Sequence, residues 1–288
     1  MSPDKSIRRR GVYLLPNLLT SAALFAGFYS IISGINGHFE PAAIAIIVAG
    51  LLDGLDGRVA RLMNTQSDFG EQYDSLSDLI SFGLAPALLA FNWSLSSLSD
   101  ISAMTGKLGW LAAFVFVACA ALRLARFNTQ VGIADKAYFQ GLASPAAAGT
   151  LVFTIWFFID NNVAGETVSW LIFFETIVLG ILMFSRVRYY SFKAGPSGDK
   201  VPAIWILLAV LVIVLLALDP PIMGMIFGSA YVLSGLLITI AGRRNWKLKR
   251  GQRPAKQQRE EPVIGKGLPS EDLTSSEDDD IDSGRPYD

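Results

Sequence analysis

The chain has 288 residues, 52% of them hydrophobic and 17% charged, with a formal net charge of −1 and a mean hydropathy of +0.42. Two soluble domains would fit the length, but the apolar residues come in blocks such as LLTSAALFAGFYSII and AIWILLAVLVIVLLAL, apolar all round and unsuited to a soluble core. The single cysteine, Cys119, excludes a disulfide framework, and the single histidine, His38, excludes His-cluster metal sites and leaves a Ser-His hydrolase only a loop residue as base.

A bilayer core about 30 Å thick needs roughly 20 apolar residues per helix. Eight helices are predicted, over residues 13–35, 40–62, 74–97, 107–127, 142–160, 167–186, 200–218 and 222–242. The expected fold class is all-α, a polytopic transmembrane bundle of about eight spans. Residues 1–12 form a basic N-terminus with Lys5, Arg8, Arg9 and Arg10. The apolar run after it lacks a small-x-small cleavage site and continues as a span, so it is not read as a signal peptide.

Charge placement sets the expected topology. With the N-terminus inside, only Lys107 of the 24 Lys and Arg falls on the outer side. An odd number of helices would put the basic tail on the wrong side of the positive-inside rule, so both termini are expected in the cytoplasm. The tail from 243 to 288 is expected to be disordered, basic to 266 and acidic from 270 onward. The basic half suits a topology anchor, or anionic headgroups at about 1 kcal/mol per base. The near-zero net charge is a cancellation between regions and points to no nucleic acid.

The informative stretch is LLDGLDGRVARLMNTQSDFGEQYDSLSDLISFG. Asp53 and Asp56 stand three apart near the end of the second predicted helix, and Asp74 and Asp78 four apart at the start of the third. Those spacings put each pair on one helix face, and the short connection makes the helices antiparallel neighbours whose faces converge. Four adjacent carboxylates repel one another unless a cation neutralises them. Hard divalent ions with oxygen ligands, Mg²⁺ or Mn²⁺, are the natural partners and leave positions for phosphate oxygens. Gly57 removes a side chain beside Asp56, Ala60 keeps that face small, and Arg61 offers a cation to a diphosphate. Gly70 leaves room beside the acids, and Asp68 reads as an N-cap or loop acid.

Written as D-x-x-D-G-x-x-A-R-x8-G-x3-D-x3-D, from Asp53 to Asp78, this pattern resembles the signature of the CDP-alcohol phosphotransferases at every signature position. The resemblance implies transfer of a phosphatidyl or related group from a CDP-linked donor to an alcohol, releasing CMP. Within that superfamily DSLSDLISFGLAPA (74–87), RLARFN (123–128) and FQGLASPAAAG (139–149) look like the membrane-bound phosphatidylserine synthases. LLPNLLT is a further family-like element, with Asn17 and Thr20 near the same face. The implied partners are CDP-diacylglycerol, L-serine and the lipid bilayer, in a bacterial plasma (inner) membrane. A homodimer is compatible with this reading.

Serine as acceptor brings a carboxylate, and Arg123 and Arg126, three apart on one face, offer planar forks that suit it. Anchoring the helix end is the bland alternative for both arginines. Asn128, Gln140 and Ser144 would supply further polar contacts. The chain departs from the family at Ala143, where proline is frequent, which leaves the loop before Ser144 less stiff. In the mechanism this implies, Asp53, Asp56 and Asp74 hold two divalent ions, Asp78 completes the second site, and Asp78 also serves as general base. Two rivals are a sister enzyme using inositol phosphate or glycerol phosphate, and a metal-ion transporter. The transporter is disfavoured because the acids sit at one membrane edge with no second copy of the pattern.

Overall fold

The computed structural model describes residues 14–63, 67–129, 138–185, 187–190 and 203–251. The N-terminal bases Lys5 to Arg10, Lys136, Arg186, Lys193, Lys200 and the tail beyond Gly251 lie outside the described residues. Contacts divide the chain into two units, residues 1–243 and 244–288.

The first unit is helical. Helix α1 (Leu14–Ile35) turns into α2 (Phe39–Leu62) through Gly37, whose φ of +77° is the left-handed conformation that glycine adopts without penalty. His38 N–H donates to Ser33 O at 2.8 Å and Gly37 N–H to Gly34 O at 3.2 Å, the pair of bonds that closes a helix on a left-handed glycine. The two helices pack through small residues, with Ala23 and Ala26 on α1 and Ala42, Ala43, Ala45 and Ala49 on α2 all buried. Without a hydrophobic force between helices in lipid, such close backbone approach is the main source of association.

Helix α3 (Asp68–Asp78) passes through a wide π turn, Leu79–Leu84, into α4 (Ala85–Trp93). This rod starts earlier than the predicted residue 74, because DFGEQY is polar and amphipathic and gives no apolar signal. Ser67 is the N-cap, its Oγ accepting from Gly70 N–H at 3.1 Å. Asp68 is therefore the first helical residue and not the cap. The rod also ends sooner than predicted, in a 3-10 turn (Leu95–Ser97) and the short α5 (Leu98–Ile101), which bury Leu95 and Leu98.

Helix α6 (Ala103–Thr129) packs against α8 (Ser169–Phe184). At their contact a Cβ on Gly180 would sit 3.2 Å from Phe116 Cα, so glycine lets the backbones meet. Helix α7 (Ser144–Asp160) follows a two-stranded antiparallel pair, β1 (Tyr138–Gln140) with β2 (Arg188–Tyr190), which adds a small non-helical element to the expected all-α fold. Gly141 follows β1 with φ +86°, and a Cβ there would run into Met183 O. Helices α9 (Ala203–Leu218) and α10 (Pro220–Gly251) follow.

The expected disorder from residue 243 is corrected in part. Residues 243–251 are helical, as RRNWKLKR contains good helix formers with bases suited to a helix C-terminus. Among the described residues, five helices are long and apolar enough to cross a membrane: Leu15–Ile35, Asp68–Trp93, Ala103–Thr129, Gly165–Phe184 and Pro220–Thr239. Ser144–Asp160 is a shorter apolar helix. Large side chains such as Phe25, Phe28, Leu51, Phe114 and Phe174 are exposed, which fits a surface solvated by lipid.

Candidate active site

The ends of α1, α2 and α3 meet around the acids. One carboxylate oxygen from each of Asp53, Asp56 and Asp74 lies within 4.8 Å of the other two. The i, i+3 spacing on α2 brings the first two together, and α3 delivers the third from the neighbouring helix. Asp56 is buried, and Asp53 and Asp74 are partly so. Among the described residues this is the only such acidic group.

Thr20 of α1 holds the buried member in place. Its Oγ1 lies 2.6 Å from Asp56 Oδ2 and 3.1 Å from Pro16 O. A hydroxyl has one proton, and the shorter contact to a carboxylate is the stronger acceptor. Thr20 is only 5% exposed, and it also lines the cleft beside the triad. Serines on the next rod fix α1 further. Ser77 Oγ donates to Thr20 O and Ser81 Oγ to Ala23 O, each at 3.2 Å. Ser21 Oγ and Tyr73 OH share a bond of 2.8 Å. A Cβ on Gly27 would lie 2.6 Å from Ser81 Oγ, so this glycine permits the close crossing of α1 and the π turn.

By contrast, Asp74 Oδ1 is buried with no hydrogen-bond partner. A buried carboxylate oxygen without a donor is costly, and a cation is the species that would satisfy it. The donor set, hard oxygens from three clustered carboxylates, fits Mg²⁺ or Mn²⁺. Asp78 stands outside the close triad, with Asp53 and Arg123 as charged neighbours.

Beside the triad lies a cleft of about 570 Å³, lined among others by Asn17, Asp56, Gly57, Ala60, Arg61 and Gly70. The sequence assigned all six to the site. Nothing approaches within 4 Å of a Cβ built on Gly57, so the cleft is open there. Arg61 is exposed, its Nε donating to Gly57 O at 2.9 Å. At Gly70 a Cβ would be 3.1 Å from Ser67 Oγ and 3.5 Å from Asn17 Oδ1. Sequence reasoning missed Glu71 and Phe127 on the wall. Phe127 follows Arg126 inside RLARFN, and nothing in its spacing separates a cleft-lining aromatic from a lipid-facing one.

The residues expected to meet the acceptor are tied into the scaffold. Arg123 Nη1 donates to Ser144 Oγ at 2.8 Å, and Ser144 is fully buried at the start of α7. Arg126 Nη1 points to Phe184 O, the last residue of α8, at 3.4 Å. Asn128 Nδ2 donates to Ser75 Oγ at 3.0 Å, fastening the end of α6 to α3 between Asp74 and Asp78. Gln140 ends β1, where its backbone pairs with Arg188; its side chain lies outside the described residues.

The sequence profile of the CDP-alcohol phosphatidyltransferase family matches residues 13–182. A CDP-diacylglycerol–serine O-phosphatidyltransferase of Helicobacter pylori is 37% identical over 187 residues, 63% of this chain and 74% of the relative. One from Mycobacterium leprae is 33% identical over 192 residues, 65% of this chain and 61% of the relative. An archaetidylserine synthase of Methanothermobacter thermautotrophicus is 34% identical over 193 residues, 66% and 74% of the two chains.

Proposed function

The chain belongs to the CDP-alcohol phosphatidyltransferase family, and from that premise we propose that it transfers the phosphatidyl group of CDP-diacylglycerol to L-serine, yielding phosphatidylserine and CMP. The single observation that carries the chemistry is the triad of Asp53, Asp56 and Asp74 with an unsatisfied buried oxygen, beside an open cleft. Serine as acceptor is supported by relatives that carry the serine transferase name in two bacteria and an archaeal relative named archaetidylserine synthase.

Asp53, Asp56 and Asp74 would hold two divalent ions, Mg²⁺ or Mn²⁺, with Asp78 completing the second site. When bound, such ions polarise a diphosphate and stabilise negative charge on the departing nucleotide. The chain's own residues do the remainder. Gly57, Ala60 and Gly70 leave the cleft wall low for the CDP moiety, Arg61 offers it a cation, and Asn17 lines the same cleft. Thr20 acts on the donor indirectly, by holding Asp56.

On the acceptor side, Arg123 presents its fork to the serine carboxylate, with Arg126 as a second cation and Ser144 and Asn128 holding the helices that carry them. Gln140 is assigned to the same side. Asp78, with Arg123 among its neighbours, accepts the proton of the serine hydroxyl. The hydroxyl oxygen then forms its bond to the lipid-linked phosphorus as the bond to the CMP oxygen breaks, and CMP leaves with that electron pair. A multi-pass protein with both termini and the site on the cytoplasmic side of a bacterial plasma membrane is consistent with the placement of the bases. In that setting the acyl chains stay in lipid while serine arrives from water. The organisation that goes with this is a basic segment to residue 12, a transferase domain over 13–242, and a charged tail.

The test is release of CMP from CDP-diacylglycerol with serine, inositol phosphate or glycerol phosphate as acceptor, with and without Mn²⁺ and Mg²⁺. Turnover that depends on serine and on a divalent ion is expected. Preference for another alcohol would move the chain to a sister activity of the same family.

A further inference from the structure

Ser75 stands between two of the site's acids on α3, one residue after Asp74 and three before Asp78. Its hydroxyl is partly buried and meets the side-chain amide of Asn128, accepting from Nδ2 at 3.0 Å and lying 3.3 Å from Oδ1. Asn128 belongs to the last turn of α6, 53 residues on in sequence. The same end of α6 carries Arg123 and Arg126. Its other side is tied to the far helices, through Arg123 Nη1 on Ser144 Oγ at 2.8 Å and Arg126 Nη1 towards Phe184 O at 3.4 Å. The end of α6 is therefore one arm, braced on α7 and α8 and clasped to the acid-bearing helix by Asn128 and Ser75.

Asp74 determines what such a clasp can do. Its Oδ1 is buried with no hydrogen-bond partner, so the direction of that oxygen follows the backbone of its own turn of α3. Groups that orient a ligand carboxylate govern ion affinity nearly as strongly as the ligand itself, and here that role falls to whatever holds the turn. Tyr73 and Ser77 tie it to α1, at 2.8 Å to Ser21 Oγ and 3.2 Å to Thr20 O. The Ser75 bond is different in kind, because it joins the same turn to the arm that carries the two arginines.

We propose that Ser75 and Asn128 are positioning residues that couple acceptor to ion: a carboxylate seated on the Arg123–Arg126 arm fixes that arm, and the clasp passes its setting to Asp74, so that acceptor and divalent ion each tighten the binding of the other. This rests on the reading of the arm as the serine contact and of the acids as the ion site. Such coupling is reciprocal by thermodynamic linkage. The factor by which serine lowers the Kd of the ion is the factor by which the ion lowers that of serine, commonly about 5–150-fold.

Free Mn²⁺ is measured by electron paramagnetic resonance during titration of the full chain in detergent, without CDP-diacylglycerol, so that nothing turns over. The titration is repeated with saturating L-serine and corrected for Mn²⁺ complexed by serine in a protein-free blank. Serine should lower the Mn²⁺ Kd of the parent about fivefold or more. In Ser75→Ala and Asn128→Ala that ratio should fall to within about twofold of unity, and the double variant should do no more than either single one. Ser75→Thr keeps the hydroxyl and should keep the effect. Serine-dependent CMP release by the same preparation separates the failures. With that release present, a parent Kd that serine leaves unchanged overturns the coupling alone; with neither, the reading of serine as acceptor falls too. A parent that binds no Mn²⁺ removes the ion site and the proposal together. A Ser75→Ala that keeps the parent's ratio, whatever its absolute affinity, makes Ser75 a structural residue and overturns the proposal.

Discussion

Replacing Asp74 by Asn should separate activity from stability. Two unit charges 4.8 Å apart, the outer limit within the triad, repel by about 3.5 kcal/mol in an effective dielectric near 20. Neutralising one of three members removes two of the three pairs. Water and salt reach the half-exposed carboxylates and reduce the gain to the order of 1–3 kcal/mol. The new amide also loses nothing at Oδ1, which has no hydrogen bond to give up. In detergent with EDTA, Asp74→Asn should therefore melt about 2–10 °C above the parent. Adding Mn²⁺ at a hundredfold excess over its Kd should stabilise the parent by about 2.7 kcal/mol and the variant far less. CMP release should be abolished. A variant that is inactive and melts lower in EDTA, or that keeps the full Mn²⁺ stabilisation, would refute the account of the triad as a cation site.

Thr20→Val keeps the side-chain volume and removes the donor to Asp56, so the Mn²⁺ concentration for half-maximal CMP release should rise about 10–100-fold; an unshifted activation curve would mean Asp56 is held by other groups. Gly57→Val and Ala60→Leu put bulk on the cleft wall and should raise the KM for CDP-diacylglycerol about tenfold or more. If donor titrations match the parent in both, the donor lies elsewhere. Gly27→Ala places a methyl 2.6 Å from Ser81 Oγ and 2.9 Å from Ser81 Cα, a clash costing about 1–3 kcal/mol. A thermal melt equal to the parent's would show that α1 and the π turn separate freely.

The acids could be read from the sequence because helical spacing alone fixes them. Residues three or four apart share a face whatever the rest of the chain does, and one short connection suffices to oppose two such faces. The same logic fails where a residue's neighbours come from distant sequence. Ser144 is buried and accepts from Arg123, a partner 21 residues away that its local spacing does not show. Thr20 lines the cleft as its position suggested, but its bond to Asp56, 36 residues on, had no local signal. The start of α3 was hidden for a local reason: its first turns are amphipathic, and a search for apolar blocks passes over them. The β1–β2 pair is three residues per strand, too short for any alternation to register.

The wide turn at Leu79–Leu84 follows directly on Asp78. An α-helix rotates about 100° per residue, so a rod that must show acids to α2 at one end and Phe82, Ala85 and Leu89 to the core at the other has to keep two angular settings. The extra residue in the wide turn resets the angle between them, while Ser77 and Ser81 both remain bonded to α1 across the change. The acid-bearing half is thereby indexed to α1 and not to the bilayer. Deleting one residue from this turn would swing Asp74 and Asp78 by about 100° relative to the buried half, with every side chain of the motif intact. Anyone grafting this centre onto another helical scaffold has to carry the stretch through Leu84 and a matching first helix, because the spacing of the aspartates by itself does not specify where they point.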